Sequence, residues 1–110
     1  MTFSIKRGTV VEHLHPAMVA ALPTIVQVFQ RHGSNTTLTE ANDSIGRTWK
    51  SLHKGIPCRA CDFRTWADVH GTQMDEGLKA AIALDLRKEL GPDYDVTFGP
   101  HNLHVEFDPK

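Results

Sequence analysis

The sequence predicts a single α+β domain, in which an antiparallel sheet of about four strands packs against two main helices. The chain has 110 residues, which is enough for one compact domain and too few for two. Long stretches with apolar residues at helical spacing are separated by short stretches of alternating apolar and polar residues. The elements follow the order helix, strand, strand, helix, strand, strand, which is typical of a sheet covered by helices. We therefore treat residues 1–110 as one domain, with residues 1–14 as either an edge strand or an extended arm.

The first helix is expected between His15 and His32. Pro16 suits the first turn of a helix and Gly33 suits the position just past its end. Pro23 removes a backbone donor and clashes with the preceding turn, so the segment is expected either to kink or to divide into two short helices. The apolar stripe has helical spacing and consists of Met18, Leu22, Ile25, Val26 and Phe29.

The second helix is expected from about Gln73 to Leu90. Thr72 is a suitable cap, and Asp75 follows three residues later, as in a capping box. The sequence Gly91-Pro92 ends the helix. The buried stripe is predicted to consist of Leu78, Ala81, Ile82, Leu86 and Leu90.

Four segments are expected as strands. Three of them are residues 36–39, residues 60–65 and residues 94–98, and the first is followed by a polar loop over residues 42–50. The fourth is the C-terminal run, where Leu103, Val105 and Phe107 alternate with polar residues. Because side chains alternate along a strand, His104 and Glu106 are predicted to lie on one face of the sheet.

The same alternation predicts a metal site on the sheet face. In the 60–65 strand, Asp62 points away from Cys61 and Phe63. Together with His104 and with His53 from the preceding loop, Asp62 completes a set of two imidazoles and one carboxylate. Such a set binds zinc and leaves the fourth position for water. Zinc-bound water has a pKa of about 7, so hydroxide forms at neutral pH.

Composition excludes several partners. The formal net charge is −1, which gives no electrostatic reason to expect binding to nucleic acid or to an anionic membrane. No apolar run approaches the roughly 20 residues that membrane insertion requires. Residues 1–7 lack the apolar centre of a signal peptide. We therefore expect synthesis in the cytoplasm.

Two motifs resemble those of the zinc D-alanyl-D-alanine carboxypeptidases and L-alanyl-D-glutamate endopeptidases, a family that includes many phage endolysins and has a hedgehog-type peptidase fold. The family's first motif reads S-x-H-x-x-G-x-A-x-D, and Ser51, His53, Ala60 and Asp62 match it. Its second motif often reads D-H-I-H-V-E, and His104, Val105 and Glu106 match its last three positions. The loop between His53 and Asp62 is longer than in the family.

This resemblance implies a zinc peptidase that hydrolyses peptidoglycan stem peptides containing D-amino acids. It also implies a protein that acts either alone or with other phage proteins, incorporated into a virion or released to the cell wall. Ser51 is expected to orient its loop, and Arg47 to bind a substrate carboxylate. The family carries its acidic general base three residues before the second histidine ligand, where this chain has His101. His101 and Glu106 are therefore the candidate bases. For Glu106 we favour a hydrogen bond that holds His104.

Two other interpretations stay open. The first is a phage virion or assembly protein that keeps the fold, with or without the metal, but does not catalyse; the absence of an acid at His101 favours it. The second is a closed structural zinc module with two cysteine and two histidine ligands. Its ligands would be Cys58, Cys61, His101 and His104.

Overall fold

The computed structural model describes residues 3–9, 14–41, 58–66 and 71–109. Within them the chain forms two helices and one sheet. The helices are α1 (Pro16–Arg31) and α2 (Glu76–Leu90). The strands are β1 (Phe3–Ile5), β2 (Thr36–Glu40), β3 (Ala60–Arg64), β4 (Tyr94–Phe98) and β5 (Asn102–Phe107). The α+β class predicted from the sequence is confirmed.

The sheet corrects the sequence prediction in two respects. It has five strands in the order β1-β2-β3-β5-β4, and it is mixed, because β1 pairs in parallel with β2 while the other pairs are antiparallel. Residues 3–5 are therefore an edge strand of the sheet that the described residues form, and not a detached arm. The parallel pairing follows from the connection, since α1 supplies the crossover that two adjacent parallel strands require.

Helix α1 is continuous from Pro16 to Arg31 and contains Pro23 in its interior. Its first turn is capped by His15, whose Nδ1 accepts a hydrogen bond from the Ala17 backbone N–H at 2.9 Å. Helix α2 begins later than predicted. Its cap is Asp75, whose carboxylate accepts from the Leu78 N–H at 2.7 Å, and not Thr72.

The later start of α2 has a local cause. The residues just before the helix pair with the residues that come directly after β3. The Met74 N–H donates to the Thr65 carbonyl at 2.9 Å, and Gln73 forms an antiparallel β-bridge with Trp66. The backbone therefore stays extended up to Met74, and Asp75 is the first residue able to cap a helix.

The hydrophobic core lies between the two helices and one face of the sheet. The helices contribute mainly Met18, Ala21, Ile25, Val28, Phe29, Ile82, Ala83 and Leu86. The sheet contributes Leu38, Cys61, Phe63, Val96, Leu103 and Val105. The residues between these on β3 and β5, which include Asp62 and His104, consequently point to the opposite face.

Candidate metal centre

Asp62 and His104 face each other across the β3–β5 ladder. They are direct partners in the antiparallel register, so their side chains lie on the same face of the sheet. The Oδ1 atom of Asp62 is 2.6 Å from the Nδ1 atom of His104. Asp62 is buried, with 8% of its surface exposed, whereas the His104 side chain is about a quarter exposed. The two residues that the sequence predicted to share a site are therefore in contact.

Glu106 contacts the other nitrogen of the same ring. Its Oε1 atom lies 2.7 Å from His104 Nε2, so two carboxylates flank the imidazole from its two nitrogens. When both carboxylates are ionised they only accept, so both contacts are then hydrogen bonds only if each ring nitrogen carries a proton. If Nδ1 instead binds a metal, Nε2–H still donates to Glu106, and that bond fixes the orientation of the ring.

The chemistry of this pair fits zinc. Zinc prefers imidazole nitrogen and carboxylate oxygen at about 2.0–2.2 Å, and in a tetrahedral site two such atoms lie about 3.3 Å apart. Nδ1 and Oδ1 are 2.6 Å apart, so a small rotation of either side chain suffices to admit the ion. The expected third ligand, His53, lies outside the described residues, as do Ser51 and Arg47.

A cavity of about 420 Å³ opens beside Asp62. His101 lines it as an exposed residue, and the His101 Nδ1 atom is 3.4 Å from the Gln73 side-chain amide. Glu106 is not among the residues that line it. The lining residues, all on or next to β1, β2, β3 and β5, are Lys6, Thr39, Glu40, Asp62, Pro100, His101 and Asn102. Of the two candidate bases from the sequence, only His101 reaches this cavity.

Sequence reasoning missed Glu40, a buried carboxylate in the same cavity with 8% of its surface exposed. Strand alternation places Glu40 on the same face as Leu38, which is in the core. However, the β2–β3 register shifts between these two residues, so that Leu38 pairs with Phe63 but Glu40 pairs with Asp62. Such a β-bulge redirects the following side chain. A bulge of this kind leaves no reliable signal in the sequence.

The closed cysteine–histidine module is not assembled by the described residues. Cys61 pairs with Val105 and lies in the core, on the opposite face of the sheet from His104. Cys58 is also buried, and its thiol donates to the Ala60 carbonyl at 3.2 Å. Both cysteines are outside any disulfide and behave as small buried apolar groups.

Asp95, Glu106 and Asp108 form a second, half-buried group further along this face, with one oxygen atom of each within 4.8 Å of the others. A set made only of carboxylates suits hard cations such as calcium or magnesium better than zinc. Acidic groups of this kind are also common without a bound ion. The group therefore differs from the Asp62–His104 pair in chemistry but adjoins it, because Glu106 also contacts His104 Nε2.

Comparison of the chain with protein-family models, curated proteins and solved structures finds no match. Neither described helix combines the length and the apolar character that crossing a membrane requires. The functional class is therefore inferred from the geometry of the site and from the motif resemblance alone.

Proposed function

We propose that this protein is a zinc-dependent peptidase. One observation carries the proposal: a carboxylate and an imidazole that match two separate peptidase motifs are adjacent across the sheet, with Glu106 behind the imidazole. The cavity borders Asp62, which leaves room for a substrate beside this carboxylate.

Each residue has a defined task in this proposal. Asp62 and His104 would hold the ion, with His53 as the third ligand, and Glu106 would fix the His104 ring. The ion, when bound, polarises the substrate carbonyl and lowers the pKa of water. The cavity beside Asp62 would seat the peptide, and Arg47 would bind a substrate carboxylate.

The proposed substrate is a peptidoglycan stem peptide containing D-amino acids, as the motif resemblance implies. In this interpretation the protein would act on the cell wall together with other phage proteins that deliver it. The cavity of about 420 Å³ is large enough for a few amino acid residues.

Metal analysis tests the ligand set directly. Purified protein should bind one zinc ion, and Asp62→Asn or His104→Ala should lower the affinity at least about tenfold, because each removes a donor. His32→Ala is a matched control, since His32 also contacts a carboxylate, that of Asp85 at 2.6 Å, but lies elsewhere. Cys58→Ser should retain the ion. Zinc binding that is unaffected by both Asp62→Asn and His104→Ala would contradict the site.

Turnover tests the reaction. Incubation with purified peptidoglycan stem peptides should release a new amino group and a new carboxylate, and removal of zinc by a chelator should abolish that release. Retained turnover in the chelated protein would exclude a metal-dependent mechanism.

A non-catalytic virion or assembly protein is the second candidate, and His101 favours it, because an imidazole occupies the position where the family has its acid. Zinc binding by wild-type protein without turnover of any stem peptide is the result that this candidate predicts.

A further inference from the structure

Glu40 is a charged side chain that the motifs do not account for. Glu40 is the last residue of β2 and is buried, and it lines the cavity beside Asp62. The bulge between Leu38 and Glu40 is what brings it there, since an uninterrupted strand would direct it into the core. Bulges are over-represented next to active sites, where they re-aim one side chain.

The position of Glu40 places it just outside the donor set for the ion. It is the register partner of Asp62 on one side, while His104 is the partner of Asp62 on the other. Directly opposed residues have Cβ atoms about 4.5–5.5 Å apart, so Glu40 is a near neighbour of the pair. Within the part of the chain that the structure describes, no donor-atom set of Glu40, Asp62 and His104 falls within 4.8 Å. Glu40 is thus a neighbour of the Asp62–His104 pair, and among the described residues its carboxylate does not form a three-atom donor group with that pair.

The other two proton acceptors are less well placed. Glu106 contacts His104 Nε2 at 2.7 Å and is not among the cavity-lining residues. His101 lines the cavity but is exposed. A carboxylate that is held inside the cavity meets the geometric requirement for a general base better than a side chain at its exposed rim.

We propose that Glu40 is the general base of this site, an inference that rests on the proposed peptidase function. As the oxygen of a water molecule forms a bond to the peptide carbonyl carbon, Glu40 accepts one proton from that water. The carbon–nitrogen bond then breaks, and Glu40 passes the proton to the leaving nitrogen. One water is consumed, one carboxylic acid and one amine are released, and Glu40 returns to its carboxylate form.

The test compares Glu40→Gln, which keeps the size and removes the proton acceptor, with the wild-type protein. On purified stem peptides, kcat should fall by about 10²–10⁴-fold, the usual contribution of a general base. KM and the zinc dissociation constant, measured by calorimetry without turnover, should change less than about threefold. Glu89→Gln is the surface control, because Glu89 pairs with Arg31 on the helices, and it should leave all three values unchanged.

Two further variants guard against misinterpretation. Glu40→Asp keeps a carboxylate but withdraws it by one methylene, so it should retain more activity than Glu40→Gln. His101→Gln should lower kcat less than Glu40→Gln does; the opposite order would assign the base to His101 and overturn the proposal. Loss of zinc affinity in Glu40→Gln would also overturn it, by making Glu40 a ligand.

The outcomes separate the two proposals. If wild-type protein binds zinc and cleaves the peptide while Glu40→Gln keeps its kcat, only the role of Glu40 is refuted. If wild-type protein neither binds zinc nor cleaves the peptide, the peptidase function itself fails, and the role of Glu40 falls with it.

Discussion

Removal of His104 should destabilise the metal-free protein by about 3 kcal/mol. The ring makes two short contacts to carboxylates, at 2.6 Å with Asp62 and at 2.7 Å with Glu106. Hydrogen bonds to charged groups contribute about 1.5–3 kcal/mol each. Because the side chains of His104 and Glu106 are about a quarter exposed, we take the lower end of that range for each contact.

Urea unfolding of His104→Ala in the presence of a chelator measures this loss, since the midpoint shift at constant slope gives the change in unfolding free energy. A loss of about 3 kcal/mol corresponds to a fall in Tm of roughly 12 °C for a domain of this size. His32→Ala is the control, because His32 makes a single carboxylate contact, to Asp85 at 2.6 Å. We expect it to cost about half as much.

The comparison refutes the reasoning if the two variants lose the same stability, because the second carboxylate at His104 would then contribute nothing. A zinc-dependent gain provides an independent check. Zinc at 100 times its dissociation constant should stabilise the wild-type protein by about 2.7 kcal/mol. The same zinc concentration should stabilise His104→Ala by no more than about 1.4 kcal/mol, because that variant is expected to bind zinc at least about tenfold more weakly.

Three further predictions concern the scaffold. Burial, and secondarily the charge of Asp93, raise the pKa of Tyr94. The tyrosine therefore ionises first in the unfolded chain, and the unfolding free energy should fall as pH rises above about 10. Tyr94→Phe should flatten this fall, and tyrosinate absorbance reports the titration of Tyr94 alone because the chain has one tyrosine. Gly91 has φ of 87°, so Gly91→Ala should cost about 1 kcal/mol in urea unfolding, whereas Gly77→Ala inside α2 should gain a similar amount; equal effects would contradict the assigned backbone conformation. Pro23 lies inside α1, so Pro23→Ala should raise the unfolding free energy by up to about 3 kcal/mol, and a loss of stability on calorimetric melting would mean that the proline relieves some other strain.

Most elements of the fold follow from sequence periodicity, and the misses have physical causes. The strand around Cys61 and Phe63 and the C-terminal strand are predictable, because the core residues Cys61, Phe63, Leu103 and Val105 alternate with polar residues. The sequence does not distinguish an edge strand from an arm over residues 3–5, because the alternation of Phe3, Ser4 and Ile5 is only three residues long. The sequence does not determine the start of α2, because Thr72 and Asp75 are both good caps. The hydrogen bonds of the preceding segment keep the backbone extended as far as Met74, so Asp75 is the cap.

The candidate site divides in a similar way. The proximity of Asp62 and His104 could be predicted from two signals. Alternation along each strand indicates which face each side chain occupies, and the motif resemblance implies that the two residues share one site. The partnership of Glu106 with His104 also follows from sharing a strand face. Glu40 could not be predicted, since its direction depends on a one-residue bulge. The roles of His53, Ser51 and Arg47 stay predictions.

Strand β1, at the end of the described sheet, affects whether two copies of the protein associate. Strand β1 is short and shows Phe3 and Ile5 at its surface, 38% and 47% exposed. A bare strand of this composition invites a second molecule to extend the sheet. Lys6 and Arg7 follow immediately, and their positive charges repel the same residues of an approaching copy. Replacing Lys6 and Arg7 with neutral residues should therefore favour aggregation while leaving the unfolding free energy nearly unchanged.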